Sequence, residues 1–424
     1  MSPSSVPWHA VLIWGIAFIS IALVLIRPKG LGEAWWAGLG ACVLVLCRLI
    51  SPRTALQAVQ KGIDVYLFLI GMMIMSELAR REGVFDWIAG HAVRASRGSR
   101  KRLFILIYCA GALVTIFLSN DATAVVLTPA VLAAIKAAEA EPLPYLFICA
   151  FIANAASFVL PISNPANLVV YGRNLPPLGP WLLSFALPST ASILVTFLML
   201  RWLSTKYLIG PVNTSVDGQP LSPAGRLTFY GIAFLAIVLM VASAFRLDLG
   251  APACVSGLLV AAIISLRDHR TPRDIGKKIA WSVIPLVAGL FVIVEALNGA
   301  GALRAAITML REMQTWPSLN RAFVCAFSIG LISNVMNNLP SGLIAGTAVQ
   351  AAGTTGVLRH AVLIGVDLGP NLSVSGSLAT ILWLIAIRRE AKEIGFWKFF
   401  SWGALVMPPA LLLAVLAVLF NAQP

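Results

Sequence analysis

An all-α polytopic membrane protein built from two inverted repeats is the fold class this sequence predicts. Three observations carry that reading. Of the 424 residues, 59% are hydrophobic and 11% charged, whereas a soluble domain carries about 25% charged residues. A polar stretch rich in Pro, Gly and Ser, 210–226, lies at the midpoint, and the pattern of apolar runs restarts after it. Each half also holds one polar knot inside an apolar run: Ser119-Asn120-Asp121-Ala122-Thr123 and Ser333-Asn334-Val335-Met336-Asn337-Asn338. At about 20 residues per crossing, the length allows about ten to twelve helices. The apolar runs are continuous rather than short and alternating, which excludes a barrel.

The first half reads as helices over 8–26, 34–49 and 65–79, then an interfacial stretch over 83–102. The run 103–137 is interrupted by the first knot, so it reads as two thin spans or a re-entrant hairpin, and the hairpin gives the inverted topology. The run 142–172 has no charge but is broken near Pro161 and Pro165, and a fifth helix covers 181–203. The second half repeats this order. Helices cover 227–244, 251–266 and 279–297, followed by an interfacial stretch near 303–313. A second hairpin spans 322–358, a broken run 361–387, and a last helix 399–420. The expected division is a first repeat over 1–209, a linker over 210–226 and a second repeat over 227–424. The first seven residues carry no charge, so the basic start of a cleaved signal is missing and the first helix is expected to stay.

Residue matches support a duplication. Ala41-Cys42 aligns with Ala253-Cys254, Glu77 with Glu295, Gly83 with Gly301, Ser119-Asn120 with Ser333-Asn334, and Ser163 with Ser375. Two returning hairpins leave five crossings per half, and an odd number inverts the second half, as in many secondary transporters. With the N-terminus outside, most of the 31 Lys and Arg residues fall on inside loops near 27–32, 80–102, 201–226, 267–278 and 388–398. The net charge of +14 therefore reads as the positive-inside bias rather than as a nucleic-acid surface. Trp35, Trp36, Trp181, Trp281 and Trp397 stand near helix starts and read as interfacial belt residues.

Asp121 and Asp367 are the acids placed well inside long apolar runs. Burial disfavours the charged form of a carboxylate, which suits a proton carrier. Glu77 and Glu295 sit at helix ends and read as side chains that snorkel to an interface. The broken segments 160–167 and 370–377 supply Asn, Ser and unwound backbone, tolerated at membrane depth around a cavity. No Arg or Lys stands among them, which argues against a multiply charged anion. The six cysteines are scattered without a CxxC pair, and no phosphate-binding GxxxxGK[ST] or HExxH motif is present. No cofactor or metal site is expected.

The segment 119–124 with Leu127-Thr128-Pro129 resembles the hairpin-tip signature of the ion transporter superfamily. Segments 333–340, 367–371 and 376–380 resemble the ArsB-type arsenite efflux permeases, and Arg27-Pro28-Lys29-Gly30-Leu31-Gly32 is similar too. The resemblance implies export of arsenite and antimonite across the inner membrane in exchange for protons, with an optional soluble ATPase docking from the cytoplasm. It also implies a scaffold and a transport domain. Carried over by position, the substrate site would be Ser119, Asn120, Asn164, Asn334, Asn338, Asn371 and Ser375, with Asp121 and Asp367 coupling protons. Sodium-coupled relatives carry Ser-Asn-Thr at both tips. Here Asp121 and Val335 take the third place, which implies loss of a sodium site to a titrating acid. Efflux of another neutral hydroxide such as silicic acid, sodium/proton antiport, or a passive anchor for an ATPase are the alternatives. A membrane-embedded enzyme finds no nucleophile–base pairing in the sequence.

Overall fold

The structure is a computed structural model that describes residues 8–28, 31–215, 220–267, 276–277, 279–389 and 394–421. The uncharged start and parts of the 267–278 and 388–398 loops lie outside the described residues. The first half comprises α1 (Trp8–Ile26), α2 (Glu33–Leu46), α3 (Pro52–Lys61), α4 (Ile63–Arg81), α5 (Val84–Ala95), α6 (Arg100–Phe117), α7 (Asn120–Ala137), α8 (Leu143–Ala155), α9 (Pro165–Tyr171) and α10 (Leu178–Leu203). The second comprises α11 (Pro223–Ala244), α12 (Gly250–Arg267), α13 (Val283–Gly299), α14 (Ala302–Gln314), α15 (Ser318–Met336), α16 (Asn338–Ala352), α17 (Val357–Leu368), α18 (Leu378–Arg389) and α19 (Phe396–Asn421). No strand occurs among the described residues.

Six helices are each long and apolar enough to cross a membrane, or up to eight if α3–α4 and α13–α14 each form one bent span. The expected α1 matches in both bounds, and most other elements match within a few residues. Helix α3 was not expected. Its signal was a start rather than an apolar run: Ser51 accepts from the Thr54 N–H at 3.1 Å, and Pro52 stands in the first turn.

The two halves pack by exchanging partners. Helix α4 lies against α12 of the other half, and α13 lies against α2. Helix α9 lies against α16, and α18 lies against α7. Helices α10 and α19 pack on each other across the halves. The close approaches are made by glycine. A Cβ on Gly71 would run into the backbone of Ala253, and one on Gly289 would stand 2.8 Å from the Ala37 carbonyl. Gly71→Val is therefore expected to force α4 from α12 and cost about 1–3 kcal/mol. Thermal unfolding in detergent checks this: a wild-type Tm would show that the helices are not held this close.

The hydrogen bonds reveal the register of the repeat. The Thr115 and Thr123 hydroxyls meet at 2.8 Å, with Thr115 also donating to the Gly111 carbonyl. In the other half the Ser333 and Ser341 hydroxyls meet at 2.7 Å, with Ser333 donating to the Ile329 carbonyl. Ser163 donates to the Ile116 carbonyl, and Ser375 to the Asn334 carbonyl. Gly83 and Gly301, both with positive φ, start α5 and α14. By these bonds Ser163 and Ser375 hold similar places in the two halves. The hydroxyl pairs shift the hairpins by one helical turn, so that Asn120 matches Asn338 and Asp121 matches Leu339. Val335, the expected counterpart of Asp121, is 68% exposed on the outside of its helix.

Candidate functional site

Each hairpin turns on a polar cap. At the first tip Ser119 accepts from the Ala122 N–H at 3.2 Å and starts α7. At the second, Asn337 accepts from the Leu339 N–H at 3.3 Å and starts α16. Asn337 holds φ 74°, ψ 153°, a conformation that favours glycine. Helix α7 widens to a π-turn over Thr123–Leu127. Pro129 lacks the N–H that the Val125 carbonyl would need, so a regular turn cannot form there.

The broken helices cross between the tips. Asn154 donates to the Asn371 Oδ1 at 3.0 Å, and Asn371 donates to the Phe151 carbonyl at 3.0 Å. Asp367 is fully buried, and its two oxygens each accept one bond, from Ser157 Oγ and Asn164 Nδ2, both at 2.8 Å. Asn164 in turn accepts from the Ala166 N–H at 2.9 Å and starts α9. Asn334 is saturated. It donates to the Gly330 and Gly369 carbonyls at 2.7 and 2.9 Å, and accepts from Ser373 at 2.7 Å.

A small void of about 10 Å³ lies where the tips and the first break meet, lined by Asn120, Asp121, Asn164, Asn338, Leu339 and Leu378, among others. That is room for a single hydroxyl or water. The side-chain oxygens of Asn120 and Asn338 are buried and accept no hydrogen bond from the described residues. The first residues of α7, α16, α9 and α18 all line the void. Three of these are the N-terminal ends of longer helices, α7, α16 and α18, and Asp121 lines the same void.

From the void a cavity of about 880 Å³ opens along α4 and α7. Ser119 and Asp121 form its inner end, and Glu77, Arg80 and Asp86 also line it. Its walls are otherwise mainly apolar, with Met72, Met73, Val126 and Ile279 among them.

The structure thus brings together Asn120, Asp121, Asn164 and Asn338 of the expected site residues, with Ser119 beside them. Asn334, Asn371 and Ser375 bond one another's segments instead and line neither the void nor the cavity. Asp367 reaches the void through Asn164. Ser157 and Asn154 were missed; a lone Asn in the charge-free run before Pro161 was the available signal. Trp181 is not a belt residue but fully buried. Its indole N–H donates at 3.2 Å to the Phe158 carbonyl, which the break in the helix leaves free. Glu77 and Glu295 are both ion-paired, to Arg80 and Lys61.

The family pattern described as the citrate transporter, CitMHS, matches residues 21–366. The chain belongs to the CitMHS family. It is 27% identical over 430 residues to the arsenical pump membrane protein of Escherichia coli strain K12, covering 96% of this chain and 98% of that one. It is 26% identical to the protein of the same description from Yersinia enterocolitica, covering 95% and 97%. These relatives agree with the resemblance read from the tip and break motifs. Among solved structures, the YdaH transporter of Alcanivorax borkumensis superposes with a TM-score of 0.58, at 14% identity and 98% coverage of both chains, and so shares the fold. This CitMHS member is a multi-pass transporter of the cell inner membrane.

Proposed function

We propose that this CitMHS member exports arsenite and antimonite in exchange for protons. The observation that carries this reading is that Asn120 and Asn338 line a void shared with Asp121, and that their buried Oδ1 atoms accept no hydrogen bond from the described residues. Trivalent arsenic at neutral pH is the uncharged As(OH)3, which offers three hydroxyl donors. Each buried acceptor left unbonded costs about 1–3 kcal/mol. A hydroxyl donated into the void recovers that cost, and the substrate oxygens meet the positive helix ends. The arsenical-pump relatives support the choice of element.

In this reading Asp121 carries the coupling proton, because it lines the space the substrate enters. Asp367 holds Asn164 in place and binds substrate indirectly. The exchanged packing of the halves supports two inverted repeats, 1–209 and 227–424, joined by the linker 210–226. The cavity then opens to the cytoplasm, on the side that carries Arg80 and Arg81. A soluble ATPase docking on the 80–102 surface is an optional partner.

The test is uptake by everted vesicles with competing solutes. Unlabelled antimonite is expected to compete with arsenite. Silicic acid competing equally well would shift the assignment to neutral hydroxides in general, and proton release on sodium addition without arsenite would favour sodium/proton antiport. Asn120→Ala and Asn338→Ala are each expected to raise the KM for arsenite about tenfold, the equivalent of one lost hydrogen bond. Unchanged KM values would remove the void from the binding site.

A further inference from the structure

The void alone would suit an anion, because the N-terminal residues of α7, α16 and α18 line it. Its family is described by a transporter of citrate, an anion. A transporter of neutral hydroxides built on such a void needs something in the cavity that keeps anions out. Among the described residues Arg80 is the cation on its lining, and Asp86 and Asp121 are the acids there besides Glu77. Arg80 is not free. Its Nε donates to Glu77 Oε2 at 2.7 Å and its Nη2 to Glu77 Oε1 at 2.6 Å. This two-pronged pair lies along one helix face, three residues apart, with Glu77 buried at 7% exposure. A surface pair of this kind is worth little for stability. A buried carboxylate that occupies both prongs of a guanidinium instead removes an oxyanion-binding fork from the passage. The repeat-matched Glu295 is neutralised too, by Lys61 at 2.8 Å.

We propose that the Glu77–Arg80 pair sets the charge of the accepted solute, by holding the cavity's guanidinium away from oxyanions. This deepens the reading of the substrate as a neutral hydroxide and rests on it. Glu77 is then a specificity-determining residue: with the carboxylate in place, neutral hydroxides pass and compact oxyanions such as arsenate or phosphate find no fork to bind. Without it, the Arg80 fork, still attracted at a distance by Asp86, is open to the 880 Å³ cavity.

The experiment compares wild type, Glu77→Gln, Glu77→Ala, Glu77→Asp, Arg80→Lys and the double variant Glu77→Gln/Arg80→Gln. Two readouts are taken: inhibition of arsenite uptake by arsenate in everted vesicles, and binding of labelled inorganic phosphate to the purified protein. Glu77→Gln is expected to lower the half-inhibitory arsenate concentration about tenfold and to bind phosphate detectably. Glu77→Asp should keep the exclusion, and the double variant should regain it. Arg80→Lys removes the fork while keeping both charges, so no gain is expected from it, whereas Glu77→Ala frees the same fork and should match Glu77→Gln. Wild-type insensitivity to anions in Glu77→Gln, or in Glu77→Ala if Glu77→Gln does not fold, overturns the proposal, as does a gain in Arg80→Lys equal to that of Glu77→Gln. Phosphate binding needs no arsenite transport, so a wild-type protein inactive toward arsenite would sink the substrate assignment while the role of the pair is still decided.

Discussion

Asp121→Asn is expected to abolish arsenite accumulation driven by a pH gradient while sparing arsenite-for-arsenite exchange. Asparagine keeps the size of the side chain and stays uncharged, as the protonated acid is, but it cannot take up and release a proton. The residue lines both the void and the cavity, so its protonation state is coupled to whatever occupies that space. The repeat sharpens this. Its counterpart is Leu339, which lines the same void from the opposite tip and cannot titrate. One tip therefore supplies the proton site and the other an apolar wall. Loss of exchange as well as accumulation would make Asp121 a binding residue; wild-type accumulation would remove it from coupling.

Asp367→Ala is the second large effect. The variant strands two buried donors, Ser157 Oγ and Asn164 Nδ2, that now bond the carboxylate at 2.8 Å. Each such loss costs about 1–3 kcal/mol. The protein is expected to unfold at a clearly lower temperature, and arsenite uptake to fall with the misplacement of Asn164. Asp367→Asn keeps one acceptor oxygen and should fall between the two. Equal thermal stability of Asp367→Ala and wild type would mean that the acid does not hold the crossing of the broken helices.

Much of the fold could be read before any coordinates, because the bilayer demands long apolar runs and punishes polar exceptions. Polar residues inside such runs, the tips and the breaks, were the right places to look. Sequence could not distinguish those that face the void from those that tie helices together. Asn334 and Asn338 are four residues apart in similar surroundings. One is saturated by Gly330, Gly369 and Ser373, and the other has a free oxygen at the void. The register error had the same origin. Ser119-Asn120 matches Ser333-Asn334 in letters, but Asn337-Asn338 occupies the equivalent helix start. The Gly83 and Gly301 match already carried the correct offset, since a positive φ at a helix entry is harder to satisfy by chance. Helix α3 was overlooked because it is too polar to register as a span, and its cap was the cue. Arg80 was counted as a loop charge, and nothing in one dimension shows that it borders a cavity.

The central claim is that a site built from Asn120, Asn338 and Asp121 moves a neutral arsenic hydroxide against protons. Everted vesicles holding the wild-type protein test it most directly, with arsenite accumulation followed under an imposed acid-inside gradient and again after a protonophore. One pH unit is worth about 1.4 kcal/mol, so about tenfold accumulation per exchanged proton is the upper limit. Accumulation is expected to grow with the gradient and to collapse to equilibration when the gradient is dissipated. Accumulation unchanged by the protonophore, or none at any gradient, would contradict it.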